Sequence, residues 1–257
     1  MLRAVDVGTS VLASTLSGWR GSLAFRPARR RPEQLVELYE YEASPYCRVV
    51  REVLTELDLD ALIYPCPQHG IRFRPRAVEK GGKAQFPFLV DPNTGRQCYE
   101  SADIIEYLAR TYDGVPLRPI RGLRRNIAVT TAFLTACARG YKGFRGYKAR
   151  PSRPAETPLE LFSFESSPYS RLVREVLCEL ELPYVLRNAG KGRCSDIGPP
   201  GVRDRLLRAP KDTGRNRSWL EENTGRVQVP YLIDANTGTA LYESATIVAY
   251  LQKTYAA

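Results

Sequence analysis

Residues 85–108 read Gln85-Phe-Pro-Phe-Leu-Val-Asp-Pro-Asn-Thr-Gly-Arg-Gln-Cys-Tyr-Glu-Ser-Ala-Asp-Ile-Ile-Glu-Tyr-Leu, and residues 228–251 read Gln228-Val-Pro-Tyr-Leu-Ile-Asp-Ala-Asn-Thr-Gly-Thr-Ala-Leu-Tyr-Glu-Ser-Ala-Thr-Ile-Val-Ala-Tyr-Leu. The second stretch repeats the first. Each predicts a short apolar strand opened by a proline, an Asn-Thr-Gly turn, a second short strand and a helix that begins at Glu-Ser. The chain is therefore predicted to be a tandem repeat.

A second shared motif lies upstream in each copy. Residues 44–46 and 167–169 both read Ser-Pro-Tyr and follow a predicted strand, at residues 35–41 and 159–164. A serine N-cap followed by a proline at the first helical position is typical of a helix start. Another strand is predicted after each helix. Copy two carries extra residues within 188–227, where a mobile loop around a short helix near 202–207 is predicted.

Each copy is preceded by a helix-like apolar segment, at residues 2–18 and 123–140. Both end in a glycine followed by an aromatic, a base and a glycine, Trp19-Arg20-Gly21 and Tyr141-Lys142-Gly143. Because this pattern recurs in mid-chain, residues 2–18 are predicted to be a structural helix rather than a transit peptide.

The apolar side chains of these two helices are predicted to be their packed faces, because an isolated helix of this length is marginal in water. Each helix is expected to pack on a domain or against the other helix. The residues concerned are Val5, Val7, Val11, Leu12, Leu16, Ile127, Val129, Phe133, Leu134 and Cys137.

Composition narrows the class of protein. A chain of 257 residues is long enough for two domains with their own cores. The six cysteines form no Cys-x-x-Cys pair, so a reducing cytoplasm is expected. No stretch reaches the ~20 apolar residues of a membrane span. The formal charge of +10 predicts a salt-sensitive, sequence-blind attraction to polyanions.

The order Ser-Pro-Tyr, strand proline and Glu-Ser resembles the N-terminal domain of glutathione transferases, a thioredoxin-like fold related to glutaredoxins. The chain is similar to tandem double-domain proteins of bacteria and plastids. The resemblance implies an α/β fold of two tandem thioredoxin-like domains, each preceded by an extra helix, without a full C-terminal helical domain. The expected divisions are 1–34 (helix and basic connection), 35–113 (domain 1), 114–157 (helix and basic linker) and 158–257 (domain 2, with an insertion near 188–227).

The same resemblance implies a glutathione site in each copy. The family's proline is cis and follows a residue whose backbone pairs with the cysteinyl part of glutathione, while its Glu-Ser pair holds the γ-glutamyl end. A serine that caps the first helix favours the glutathione thiolate. The implied catalytic residues are Ser44 and Ser167; the implied glutathione ligands are Tyr46, Phe86, Pro87, Glu100, Ser101, Val229, Pro230, Glu243 and Ser244. From the residues themselves, Tyr39, Tyr41 and Tyr46 are alternative hydroxyl donors to a thiolate, and alternation along the strand makes at least one of Tyr39 and Tyr41 a core residue.

The residues themselves also permit a plainer interpretation, in which the serines and the Glu-Ser pairs are helix caps and each proline is the first residue of a strand. Glutaredoxins have Cys-Pro-Tyr-Cys where this chain has Ser-Pro-Tyr. Loss of the attacking thiol argues against dithiol oxidoreductase activity. Cys66 and Cys47 are the candidate reactive thiols. Cys66-x-x-His69 has no second ligand pair, so no metal is expected.

The predicted function is that of a glutathione-binding, transferase-like protein whose partner is a small-molecule thiol. The alternative is a non-catalytic interaction protein that keeps the thioredoxin-like fold and binds another protein. A third hypothesis is nucleic-acid or anionic-surface binding through the arginines of residues 26–31. The chain lacks the sequence motifs of known nucleic-acid-binding domains, so no specific nucleic acid is expected.

Overall fold

The fold is taken from a computed structural model, which describes residues 2–114, 123–140, 145–193 and 214–257. The short helix expected near residues 202–207 lies outside the described residues. The elements are α1 Leu2–Leu16, β1 Val36–Glu40, α2 Pro45–Glu56, β2 Ala61–Pro65, α3 Phe73–Gly81, β3 Phe88–Asp91, β4 Arg96–Tyr99, α4 Ser101–Leu108 (continued by a π-helical turn, Ala109–Asp113), α5 Leu123–Arg139, β5 Leu159–Ser163, α6 Pro168–Glu179, β6 Tyr184–Asn188, α7 Arg215–Thr224, β7 Tyr231–Asp234, β8 Thr239–Tyr242 and α8 Ser244–Tyr255.

The two repeats share one eight-stranded sheet, in the order β4-β3-β1-β2-β6-β5-β7-β8. Within each repeat the first two strands are parallel and the others are antiparallel, which confirms two tandem thioredoxin-like domains. The repeats join where β2 runs antiparallel to β6, with Leu62 opposite Val185. Around that pair, Ala61 lies opposite Leu186 and Ile63 opposite Tyr184, so the register is that of a pseudo-twofold axis.

Both faces of the sheet are covered. On one face the helices α2, α4, α6 and α8 contribute to a single core that crosses the junction. On the other face each repeat has a smaller aromatic cluster: Tyr39 and Phe88 pack near α3, and Phe162 and Tyr231 pack with Leu220 of α7. Alternation along β1 explains this division, because successive side chains of a strand point to opposite faces. Tyr39 is thus the core residue of the pair Tyr39 and Tyr41.

The two extra helices are exchanged between the repeats. Helix α1 packs on α6 of the second repeat, and α5 packs on α2 of the first, while α1 and α5 contact each other. The chain after each helix then passes close to both repeats at a glycine, Gly21 or Gly146. A Cβ atom on Gly21 would lie 2.8 Å from Cβ of Glu165, and one on Gly146 would lie 2.8 Å from Cβ of Glu42.

Two expectations about these helices need correction. The glycine equivalent to Gly21 is Gly146 rather than Gly143, because Gly146 makes the matching close approach and has the matching positive φ, 71° against 72°. The prediction that the large apolar side chains form the packed faces of these helices is also wrong. Ser10, Ala13 and Ser14 of α1 point inward, whereas the larger apolar side chains of α1 point outward. In the described part of the chain, no helix is long and apolar enough to cross a membrane.

The helix starts and the strand prolines follow the sequence motifs. Ser44 Oγ accepts a hydrogen bond from the Cys47 N–H at 3.2 Å, and Ser167 Oγ accepts one from the Ser170 N–H at 3.3 Å. Both serines are therefore N-caps, as predicted. The bonds Phe86–Pro87 and Val229–Pro230 are cis, which confirms the expectation for both strand prolines.

Candidate functional site

An open cleft of about 500 Å³ lies beside the first repeat, within the size range of small-molecule sites. It is built where the end of β1, the start of α2, the cis-proline turn before β3 and the start of α4 meet. These segments lie far apart in the sequence, and the sheet brings their ends together. The first-repeat cleft, as we call it, is lined by Tyr41, Tyr46, Arg74, Ala84, Gln85, Phe86, Pro87, Glu100 and Ser101.

One end of the first-repeat cleft is formed by Glu100 and Ser101. Glu100 is exposed and has a φ of 64°, a strained value that turns the chain directly into α4. Its Oε1 accepts a hydrogen bond from Gln85 Nε2. Ser101 is the first residue of α4, where backbone N–H groups have no partner within the helix. This end therefore offers a carboxylate for an ammonium group and helix N–H groups for a carboxylate.

The other end of the cleft holds two tyrosines. Tyr46 is 46% exposed at the start of α2, and Tyr41 follows β1 and interacts with the Ser44 hydroxyl. Burial raises the pKa of Tyr41, and the neighbouring Cys47 adds to this effect. The Tyr41 hydroxyl therefore keeps its proton at neutral pH and can donate a hydrogen bond into the cleft.

Ser44 lies behind these tyrosines rather than on the cleft surface. It is only 2% exposed, and it lines a separate cavity of about 20 Å³ beneath α5, together with Ala132 and Thr135. A cavity of this size holds little more than one water molecule. Any effect of Ser44 on a ligand in the cleft has to pass through Tyr41 or the N-terminus of α2.

The second repeat reproduces part of this arrangement. Glu243 has a φ of 67° and accepts a hydrogen bond from Gln228 Nε2 at 2.6 Å, as Glu100 does from Gln85. Ser244 is 2% exposed, and its Oγ has no hydrogen-bond partner among the described residues. The main difference is Phe164, which takes the place of Tyr41 and has no hydroxyl group to offer.

The profile of the glutathione S-transferase N-terminal domain matches this chain twice, at residues 38–116 and 161–257, which together make up more than half of it. The chain belongs to the glutathione S-transferase N-terminal-domain family. The two matches cover both halves of the eight-stranded sheet.

Solved glutathione transferases show more limited similarity. A glutathione transferase of Bombyx mori is 26% identical over 35% of this chain and 43% of its own, with a TM-score of 0.31. The chain thus spans less than half the length of that enzyme. A trimeric glutathione transferase of Leishmania is 13% identical over 86% of this chain and 67% of its own, with a TM-score of 0.28. A comparison with curated proteins found no match.

Within this glutathione S-transferase fold, the two candidate reactive thiols are inaccessible. Cys47 and Cys66 are both 0% exposed. Burial raises the pKa of Cys47 to about 12 and raises that of Cys66 well above its usual value. Because the thiolate is the nucleophile, a buried thiol with a raised pKa reacts slowly. The burial of both thiols contradicts the expectation that Cys66 and Cys47 are reactive.

Sequence reasoning missed Arg74. Its Nε donates to the carbonyl oxygens of Cys66, at 3.0 Å, and Pro67, at 2.6 Å, and its guanidinium lies 4.8 Å from the ring centroid of Phe86. These contacts hold a positive charge on the wall of the first-repeat cleft. The signal available in the sequence was the segment Arg72-Phe73-Arg74-Pro75, which has no clear counterpart in copy two.

No group of three or more potential metal ligands occurs among the described histidine, cysteine, aspartate and glutamate residues. His69 lies in the loop after β2 with a φ of 64°. The first-repeat cleft offers hydroxyl groups, helix N–H groups and fixed charges.

Proposed function

We propose that the first-repeat cleft binds glutathione. The observation that carries this proposal is the convergence of Tyr46, Phe86, Pro87, Glu100 and Ser101, from three separate segments, on one open cleft. Glu100 and Ser101 receive the γ-glutamyl ammonium and carboxylate groups. The backbone before Pro87 pairs with the cysteinyl residue. Arg74, which the sequence motifs did not predict, supplies a positive charge for the glycyl carboxylate.

The proposed chemistry is stabilisation of the glutathione thiolate. A sulfur placed between the tyrosines lies beside the N-terminus of α2, which favours negative charge. Tyr41 donates a hydrogen bond to it, and Ser44 orients Tyr41 from behind. The thiolate then forms a bond to an electrophilic carbon and displaces its leaving group, or attacks a mixed disulfide and releases the other thiol. This is the transferase-like function proposed for the chain.

The first repeat is the better binding site of the two. Phe164 removes the hydroxyl donor from the second repeat, and the segment that supplies Arg74 to the first-repeat cleft has no clear counterpart in copy two. We therefore assign ligand binding to Tyr41, Ser101 and their neighbours. The catalytic role of Ser167 and the ligand roles of Val229, Pro230, Glu243 and Ser244 stay predictions. The five described cysteines are free thiols, which supports a reducing compartment such as the cytoplasm.

A second candidate function follows from the burial of Ser44. A hydroxyl that is 2% exposed and already accepts a hydrogen bond from the Cys47 N–H makes no direct contact with a ligand in the cleft. This favours a protein that binds glutathione, or a protein partner, without turning a substrate over. Thiolate formation distinguishes the two functions, since binding alone does not require it.

The test is a calorimetric titration of the full chain with reduced glutathione, repeated with Tyr41→Phe. Binding at millimolar glutathione or below, together with a lowered pKa of the bound thiol that Tyr41→Phe restores toward its free value, supports the transferase-like function. Binding with an unperturbed thiol supports the non-catalytic alternative. If the unmutated protein shows no heat and no rise in melting temperature at millimolar glutathione, the cleft is not a glutathione site.

A further inference from the structure

The α1–α5 pair forms an extra layer on top of α2 and α6. The helices run antiparallel and are held by direct hydrogen bonds: Thr135 Oγ donates to the Ala13 carbonyl oxygen at 2.9 Å, and Arg139 Nη1 donates to the Asp6 carbonyl oxygen at 2.8 Å. Because both helices lie side by side on the same layer, their outward sides form one surface.

The inward side of the pair is small and polar because it meets buried arginines. Arg48 Nη2 donates to Ser17 Oγ at 2.9 Å. Arg171 Nη1 donates to the Ser10 carbonyl oxygen at 2.8 Å, and its Nη2 donates to Ser14 Oγ at 3.1 Å. A buried guanidinium needs such acceptors, since an unsatisfied one is costly. The serines of α1 thus have a clear role inside the protein.

The outward side carries the large apolar residues, which is the reverse of an ordinary surface helix. Phe133 is 57% exposed, and Leu12 and Ile127 are each 51% exposed. Among the described residues of both helices, every position classed as exposed is apolar, threonine, cysteine or glycine. We call this surface the outer face; its large side chains are Val5, Val11, Leu12, Leu16, Ile127, Phe133 and Leu134. A continuous apolar patch of this kind marks an interaction site.

The charge of the chain selects the partner of the outer face. The first turn of α5 carries Arg124 and Arg125 in its sequence, the third arginine of α5, Arg139, is buried against Glu175, and the whole chain has a formal charge of +10. A second copy of the chain would carry the same positive charge, whereas an anionic lipid surface would carry the opposite one. Trp19, 37% exposed just beyond α1, is of the residue type favoured at the boundary between lipid and water.

The dimensions agree with a helix pair that lies in the membrane surface. Helices α1 and α5 have 15 and 17 residues, fewer than the ~20 apolar residues of a typical span. Amphipathic helices of this kind rest with their apolar side in the headgroup boundary, supported by basic residues. We propose that the outer face docks the protein on an anionic lipid bilayer, with α1 and α5 in the membrane plane.

The test uses the full chain and unilamellar vesicles of phosphatidylcholine, either pure or with one third phosphatidylglycerol, followed by sedimentation. Binding is expected to the anionic vesicles and to weaken in high salt. The double variant Leu12→Gln/Phe133→Gln should lower the partition coefficient by about tenfold or more. Ile71→Gln, at a residue 80% exposed and outside the outer face, should leave it unchanged. Unchanged thermal melting will show that the variants are folded.

Three outcomes overturn the proposal. Failure of the unmutated protein to sediment with anionic vesicles is one. Equal binding by the double variant is another, since charge elsewhere would then be sufficient. The third is a dimer in analytical ultracentrifugation that the double variant converts to a monomer, which would assign the outer face to a second copy of the chain. None of these results depends on glutathione binding.

Discussion

Arg51 Nε donates to Oε2 of Glu165 at 2.9 Å, and Arg174 Nε donates to Oε2 of Glu42 at 3.1 Å. Each arginine thus pairs with the carboxylate of the other repeat, and all four side chains are at most 4% exposed. The pseudo-twofold axis of the β2–β6 junction relates the two pairs. The repeats are therefore joined by a buried, reciprocal charge network as well as by the sheet.

Substituting Arg51→Ala should lower the free energy of unfolding by about 3–5 kcal/mol, because it leaves carboxylates buried without their cation. Urea denaturation measures the loss. Arg226→Ala is the matched control, since the Arg226–Glu243 pair is at least half exposed on both sides and should contribute well under 1 kcal/mol. Equal losses in the two variants would show that the buried network does not hold the repeats together.

Glu40 breaks the symmetry of this network, because Ser163 takes its place in the second repeat. Burial raises the pKa of Glu40 to about 7 from 4.5, against the opposing effect of Arg51. Between these two pH values the folded protein keeps a proton that the unfolded chain releases. The contribution of Glu40 to stability should therefore fall as the pH rises from 4.5 to 7 and be constant above that.

The variant Glu40→Gln should remove this pH dependence. The difference in unfolding free energy between the variant and the unmutated protein should change by on the order of 1–3 kcal/mol across the window. Burial also raises the pKa of Glu56 to about 7, but that group titrates in both proteins and cancels in the difference. Parallel stability curves from pH 4.5 to 7 would mean that Glu40 does not titrate there.

Features encoded by neighbouring residues could be read from the sequence. A helix cap such as Ser44 and a turn before a strand depend on residues a few positions apart, so the motifs predicted them correctly. The β2–β6 junction could not be predicted, because each repeat specifies its own strands but not which edges meet. The same limit hid Arg74, whose position in the cleft depends on contacts with Phe86 and with carbonyl groups.

Helical periodicity revealed the apolar stripe of α1 but not the direction in which it faces. Arg48 and Arg171 set that direction. They are buried cations that need hydrogen-bond acceptors, and the inward side of α1 and the residue after it supply them. The burial of Ser44 has a similar origin, since α5 comes from the other repeat's leading segment and covers it. Local sequence patterns do not show on which repeat such a helix packs.

In the first-repeat cleft, Ser101→Ala should weaken glutathione binding by about 1.5–3 kcal/mol, the usual contribution of a hydrogen bond to a charged group. Calorimetry with reduced glutathione measures the change. Ser244→Ala makes the equivalent substitution in the second repeat and should have little effect if the first repeat is the binding site. A larger loss in Ser244→Ala than in Ser101→Ala would move the site to the second repeat.

Residues 1–20 should be indispensable for folding stability. Removing them deprives Arg171 of the Ser10 and Ser14 oxygens, and it exposes the surfaces of α5 and α6 that α1 covers. We expect a lower melting temperature and stronger binding of a hydrophobic dye. A truncated protein with the melting temperature and dye binding of the full chain would show that the segment is a dispensable tail.

Two single substitutions separate the roles of the two sides of α1. Ser14 is fully buried and its Oγ donates to the Ser166 carbonyl oxygen at 2.7 Å, so Ser14→Leu overpacks the interface and should destabilise the protein by about 1–3 kcal/mol. Leu12→Ser changes the outward side, where 51% of the residue is exposed, and should alter stability by about 0.5 kcal/mol or less. Thermal and urea denaturation of both variants give the comparison. If Leu12→Ser proves the more damaging of the two, the apolar side of α1 is its packed side and the orientation described above is wrong.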